Sequence, residues 1–160
     1  MQPSAAAQRS VRELCVRQCF TQCLRRMLLP YDRDCPDCQQ RRVASLTLEM
    51  PPPKVLLIRY SWSISFPAKE KDLTFCGVPE MLQLSDLCAT VRGEYHLKSV
   101  LVRSKEFGEA MICWNTQLKC YTLYSLTWSV RLDTFEYLNS YCSQSLYQPL
   151  LLLYDLKEVE

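Results

Sequence analysis

The chain has 160 residues, of which 48% are hydrophobic and 22% are charged, and its net charge is +2. This length and balance favour a single globular domain with its own core, while the near-neutral charge argues against a dedicated nucleic-acid binder. The 3 glycines form neither a GxGxxG nor a GxxxxGK(S/T) motif, which excludes a glycine-rich phosphate loop.

The 10 cysteines are many for a chain of this length. The stretch before Cys15 lacks the apolar segment of a secretory signal. The longest apolar run, Leu150 to Tyr154, is too short to span a bilayer. We therefore expect a cytoplasmic or nuclear chain without a membrane partner, in which thiols stay reduced or bind a metal.

The first 50 residues predict a tail, a helix and a strand. Residues 1–9 are expected to be a flexible tail. Ser10 and Glu13 match a capping box. The helix that it opens has an apolar stripe at helical spacing, formed by Val16, Cys19, Phe20, Cys23, Leu24 and Met27. Pro30 ends this helix, and residues 43–49 alternate as a half-buried strand.

The remaining residues predict a sheet with one further helix. The stretch KVLLIRYSW is almost continuously apolar, which favours a central strand buried on both faces. VPEMLQLSDL fits a short strand or a single helical turn. Further strands are predicted at 95–102, 108–114, 120–124 and 128–132, then a helix from Asp133 and a closing strand in PLLLLYDL. This order indicates an α+β fold with an antiparallel sheet.

Several motifs follow one another along the chain: CLRRMLLPY with CPDC, PPPKVLLIRYSW, VPEMLQL, YHLKSVLV, GEAMICW, CYTLYSLTWSVRL and PLLLLYDL. In this order they resemble the C-terminal two-thirds of a ubiquitin-specific protease (USP) catalytic domain. The resemblance implies a truncated papain-like cysteine-protease fold in one partial domain, residues 10–160. Residues 10–50 would form a helix and partial fingers, and residues 51–160 a palm-type antiparallel sheet.

The residues that the family uses for catalysis are replaced. The nucleophile box of the family, rich in Gly, Asn and Thr before a Cys-Tyr step, has no counterpart before Ser10. Glu109 stands where the family has its catalytic histidine. Tyr124 and Ser125 stand at the acidic step, with Ser125 matching the lost acid. The resemblance therefore implies a relative without a catalytic triad.

One histidine, His96, is available for any other cysteine chemistry. Alternation along its strand places it with Lys98, opposite a face formed by Tyr95, Leu97, Ser99 and Leu101. We interpret His96 as a solvated rim residue. Cys113 is a candidate thiol, although cysteines in strands are mostly small core residues.

Cys35 and Cys38 form half of a tetrahedral zinc site. In the family a second Cys-x-x-Cys pair lies upstream of the helix, and this chain starts too late to contain it. Cys15, Cys19 and Cys23 either supply a further ligand or pack along the apolar stripe of the helix. Zinc bound by Cys35 and Cys38 is the one cofactor that the sequence suggests.

The leading hypothesis is an inactive USP-like protein that binds ubiquitin or a ubiquitin-like protein. One alternative is a fragment or subunit of an active ubiquitin-specific cysteine protease. Another is an interaction scaffold for a partner unrelated to ubiquitin, which would use sheet edges or aromatic patches. Because a partial domain leaves one face of its sheet without cover, self-association is also expected.

Overall fold

The computed structural model describes residues 20–22, 24, 51–60, 75–87 and 92–157. Within these ranges the strands are β1 (Val55–Arg59), β2 (Met81–Gln83), β3 (Glu94–Ser104), β4 (Gly108–Asn115), β5 (Cys120–Tyr124), β6 (Ser129–Leu132) and β7 (Gln148–Leu156). The helices are a 3-10 turn (Phe75–Gly77), the single-turn α1 (Leu84–Leu87) and α2 (Phe135–Gln144). Phe20, Thr21, Gln22 and Leu24 are also helical.

The strands form one seven-stranded sheet in the order β1-β7-β3-β4-β5-β6, with β2 paired to β3. Each recorded pair is antiparallel. Consecutive hairpins explain the neighbours from β3 to β6. The last strand, β7, enters between β1 and β3. The chain is therefore an α+β protein with a mostly antiparallel sheet, as the sequence predicted.

Most of the predicted elements are present in the structure at the predicted positions. The four strands from residue 95 onward, the helix after Asp133 and the closing strand are confirmed. VPEMLQLSDL contains both of the structures considered for it, because β2 runs directly into α1. The predicted tail at 1–9, the strand at 43–49 and the Cys35–Cys38 pair lie outside the described residues.

The prediction of a central strand in KVLLIRYSW is wrong. Within the described part of the chain, β1 pairs only with β7 and forms an edge of the sheet. Its burial alternates, with Leu56 and Ile58 packed against the core and Val55 and Leu57 exposed by 49% and 58%. An apolar run predicts a strand, but its position in the sheet depends on which distant segment pairs with it.

The predicted face of β3 is wrong beyond Lys98. Tyr95 and Leu97 are buried as expected, but the buried residues then become Val100 and Val102. The register with β7 shifts between Leu97 and Ser99, which marks a β-bulge or similar irregularity. One extra residue at such a point moves the following side chains to the other face.

Helix α2 covers one face of the sheet. Its N-cap is Thr134, whose Oγ1 accepts a hydrogen bond from the backbone N–H of Tyr137 at 3.1 Å. Leu138 and Cys142 lie on its buried side and are 0% exposed. They belong to the same core cluster as the inward residues of β3, β4, β5 and β7. We call this side of the sheet the helix face.

Three buried tyrosines on the helix face donate their hydroxyl groups to backbone carbonyls. Tyr154 donates to Pro79 O at 2.7 Å, Tyr95 to Pro53 O and Tyr121 to Leu97 O at 3.2 Å. The first two carbonyls belong to segments outside the strands. Because a buried hydroxyl without a partner is costly, these bonds fix the approach of both proline-containing segments to the sheet.

Glu94, the first residue of β3, connects the ends of three strands. Its carboxylate accepts hydrogen bonds from Gln83 on β2 at 2.9 Å and from Lys157 after β7 at 3.0 Å, and lies 2.8 Å from Nε2 of His96. These partners, His96 first, lower the pKa of Glu94 from its ordinary 4.5 to about 2. The charged carboxylate therefore stabilises the folded state.

In the parts of the chain that the structure describes, no helix has the length and apolar character of a membrane span.

Replacing Tyr154 by Phe tests the hydroxyl bonds. Tyr154 is 0% exposed, so Tyr154→Phe should lower the free energy of unfolding by about 1–3 kcal/mol, because a buried hydrogen bond is lost. The matched control is Tyr137→Phe on α2, where the side chain is 52% exposed and the expected change is within about 0.5 kcal/mol. Urea denaturation measures both, and equal losses would contradict the assignment.

The Glu94 cluster predicts a pH dependence. A folded pKa below the unfolded one adds stability above pH 4.5, and this stability is lost as the pH falls toward 2. Glu94→Gln should therefore destabilise the protein at pH 6 and have little effect near pH 2. Urea unfolding across this range measures it, with Glu106→Gln in the exposed β3–β4 turn as control. A Glu94→Gln deficit that does not change with pH would refute the charge-based explanation.

Candidate functional site

Glu109 lies at the start of β4 and is exposed. It pairs with Arg103 of β3 in the ladder. Nε of Arg103 donates to Oε1 of Glu109 at 3.0 Å, and Nη2 donates to the same oxygen. Their side chains are 59% and 56% exposed, so this ion pair adds little to stability. The ion pair does affect the chemistry of Glu109, because one of its carboxylate oxygens already accepts hydrogen bonds from a guanidinium.

The hairpin between β3 and β4 positions this pair. Ser104 lies opposite Gly108, and three residues, 105–107, form the turn. Gly108 has a φ of +73°, a left-handed conformation that favours glycine. Oγ of Ser104 accepts from the backbone N–H of Glu106 at 3.3 Å and donates to Ser145 O at 3.0 Å. The turn is thus connected to the end of α2.

Ser125 lies just beyond the end of β5, and its backbone N–H donates to Trp128 O at 2.9 Å. At the end of β5, the residue that shares a face with Glu109 is Tyr124. Tyr124 lies opposite Met111, two residues from Glu109 along β4, and is 47% exposed. The structure therefore brings Tyr124, rather than Ser125, to the side of the sheet that carries Glu109. The alternation of side chains in CYTLY is the sequence signal that could have placed Tyr124 on this side. Tyr121 and Leu123 are buried on the other side.

Cys113 and His96 do not form a nucleophile and base pair. Cys113 lies opposite Ser99 on β3, three residues from His96, or roughly 10 Å at the ordinary rise of a strand. Burial raises the pKa of the Cys113 thiol. His96 lies at the rim, its side chain 38% exposed and in contact with Glu94. An activated cysteine needs the opposite conditions, a lowered pKa and an adjacent base.

The predicted zinc ligands Cys35 and Cys38 lie outside the described residues. Within the ranges that are described, no group of three or more His, Cys, Asp or Glu side chains could hold a metal ion. Zinc at this pair stays a prediction.

A small cavity lies beside the β3 irregularity. Its volume is about 90 Å³, and its walls are Glu80, His96, Leu97, Lys98, Trp114 and Tyr121. The Tyr121 hydroxyl points to Glu80 Oε1 at 3.4 Å and donates to Leu97 O, and burial raises its pKa. Because ligand pockets typically measure roughly 300 Å³ or more, this cavity is too small for a typical small-molecule ligand.

No family model matches the chain, and no curated protein matches it. Solved structures similar to it include a SAGA DUB module with Ubp8, Sgf11, Sus1 and Sgf73, at 14% identity and a TM-score of 0.45, covering 81% of this chain and 30% of that one. Another such module, bound to monoubiquitin, shows 15% identity and a TM-score of 0.44, covering 81% and 29%.

A yeast SAGA DUB module with a mutant Sgf73 is similar over 51% of this chain and 19% of that chain, at 17% identity and a TM-score of 0.38. Across these three structures the chain spans between 19% and 30% of the length of the chain that it matches.

Proposed function

We propose that this chain is a catalytically inactive relative of ubiquitin-specific proteases that acts by binding ubiquitin or a ubiquitin-like protein. The observation that carries the proposal is the replacement of the family's histidine by Glu109, whose carboxylate is bound by Arg103. The motif order supports the family. Strands β3, β4, β5 and β7 occupy the stretches that resemble the strands of that family, and they are antiparallel neighbours.

The chemistry of Glu109 supports the inactive part of the proposal. A cysteine protease needs an imidazole that accepts the proton of the thiol and then, as imidazolium, stabilises the thiolate. A carboxyl group carries no positive charge in either protonation state, and its ionised form would raise the pKa of a nearby thiol, because its negative charge repels the thiolate. The guanidinium of Arg103 also donates two hydrogen bonds to one of the two carboxylate oxygens of Glu109, Oε1.

The finer architecture belongs to the same proposal. In this reading the sheet of β1 to β7 is the palm, and residues 10–50 form a helix and part of the fingers, with Cys35 and Cys38 as half of a zinc site. The compartment would be the cytoplasm or the nucleus.

Titration of ¹⁵N-labelled ubiquitin with the unlabelled chain tests the binding half of the proposal. We expect localised chemical-shift changes that grow up to about 500 µM of the chain, the concentration range in which a weak complex forms. An unrelated ¹⁵N-labelled domain of similar size should show no such changes. A ubiquitin spectrum that does not change over this range would refute ubiquitin binding.

A ubiquitin probe with a C-terminal electrophile tests whether the chain is catalytically inactive. It also tests the alternative that the chain is a fragment or subunit of an active protease. We expect no labelled cysteine in the wild type, and none in Glu109→His, because burial raises the pKa of Cys113 and leaves it mostly thiol at neutral pH. Mass spectrometry detects the adduct. Labelling that disappears when one cysteine is changed to Ser would overturn the proposal.

A further inference from the structure

Three consecutive prolines and a lysine, Pro51 to Lys54, lead into the edge strand β1. We call these four residues the proline segment. Proline fixes its own φ at about −65° and restricts the residue before it to extended conformations. Because Pro51 and Pro52 are subject to both constraints, the segment favours the polyproline II conformation. A segment of this kind loses little further conformational freedom when it binds a partner.

The proline segment is accessible. Pro51, Pro53 and Lys54 are exposed, and Pro52 is half-buried. Side chains of a polyproline II helix repeat every three residues, so three neighbouring prolines point in three directions. One of them therefore turns toward the sheet while the other two face solvent. The chain bends at Pro51 and again at Lys54, and the prolines lie between these two bends.

Two hydrogen bonds hold one end of the proline segment on the sheet. The hydroxyl of Tyr95 donates to Pro53 O, and the backbone N–H of Leu156 donates to Lys54 O at 2.8 Å. Among the residues that the structure describes, no donor binds the carbonyl oxygens of the two preceding prolines. The segment is thus positioned by the fold, and two of its carbonyl groups are available as acceptors.

The end of the proline segment that meets β1 is basic and apolar. Lys54 is exposed, and none of the ion pairs within the described ranges includes it. The next residue, Val55, is 49% exposed. A partner complementary to this end needs an apolar surface for the prolines and a carboxylate near the lysine.

Grooves lined with aromatic side chains, as in SH3, WW and EVH1 domains, bind proline-rich segments of this conformation. In the run PPPK no proline stands three residues from another, so the PxxP spacing is absent. Adjacent prolines followed by a basic residue favour a partner with a single aromatic groove, which is the arrangement of a WW domain.

We propose that the proline segment is a ligand for a WW domain whose groove has an acidic rim. The groove takes the exposed prolines, and the acidic rim pairs with Lys54. The segment lies at the Tyr95 end of β3, whereas Glu109 lies opposite Arg103, roughly 25 Å farther along that strand at its ordinary rise. The proposal is therefore independent of any binding to ubiquitin.

Titration of ¹⁵N-labelled WW domains with the unlabelled full chain tests this proposal, in a panel that includes acidic and neutral groove rims. We expect chemical-shift changes at the groove residues of the acidic-rim domains, with a Kd on the order of 100 µM because the contact is short. Pro51→Ala should raise this Kd at least about fivefold, because it removes an exposed proline ring. Lys54→Glu should raise it by a similar factor, because it places a like charge against the rim.

The matched control is Lys105→Glu, which makes the same charge change at an exposed lysine in the turn at the other end of β3. It should leave the Kd unchanged. Urea denaturation confirms that each variant is folded. The proposal is wrong if no acidic-rim domain binds below about 1 mM, if Pro51→Ala binds as the wild type does, or if Lys105→Glu weakens binding as much as Lys54→Glu.

Discussion

The pairing of β7 with both β1 and β3 is the constraint on which the rest of the sheet depends. β1 has no other partner among the described strands, and β3 to β6 form hairpins that do not reach β1. The strand carries Leu152 and Tyr154 into the core, and the Tyr154 hydroxyl binds the carbonyl of Pro79. One strand therefore connects the edge, the centre and the segment before β2.

The sequence was sufficient for the strands and helices but not for their places in the sheet. Local signals, such as alternation, short turns and the helix start at Asp133, act within a few residues, and the elements that they predict from residue 95 onward are present. The apolar runs of β1 and β7 look alike, and only long-range pairing makes one an edge and the other central. The shift near Lys98 has no sequence signal that we recognise.

The candidate site was predictable to the same degree. Glu109 follows from the motif alone, whereas its ion pair with Arg103 depends on the length of the hairpin turn. The presence of Tyr124 on the side of Glu109 follows from register, which an alignment of motifs leaves open by one residue.

The position of β7 also has a consequence for the order of folding during synthesis. Roughly 90 residues separate Arg59 from Gln148, so β1 leaves the ribosome long before its partner. The hairpins from β3 to β6 are able to form as they emerge. Until β7 is synthesised, β1 and the edge of β3 that pairs with β7 keep unpaired backbone groups and exposed apolar side chains. Chaperones have this interval in which to bind the nascent chain, and it ends when the last strand inserts.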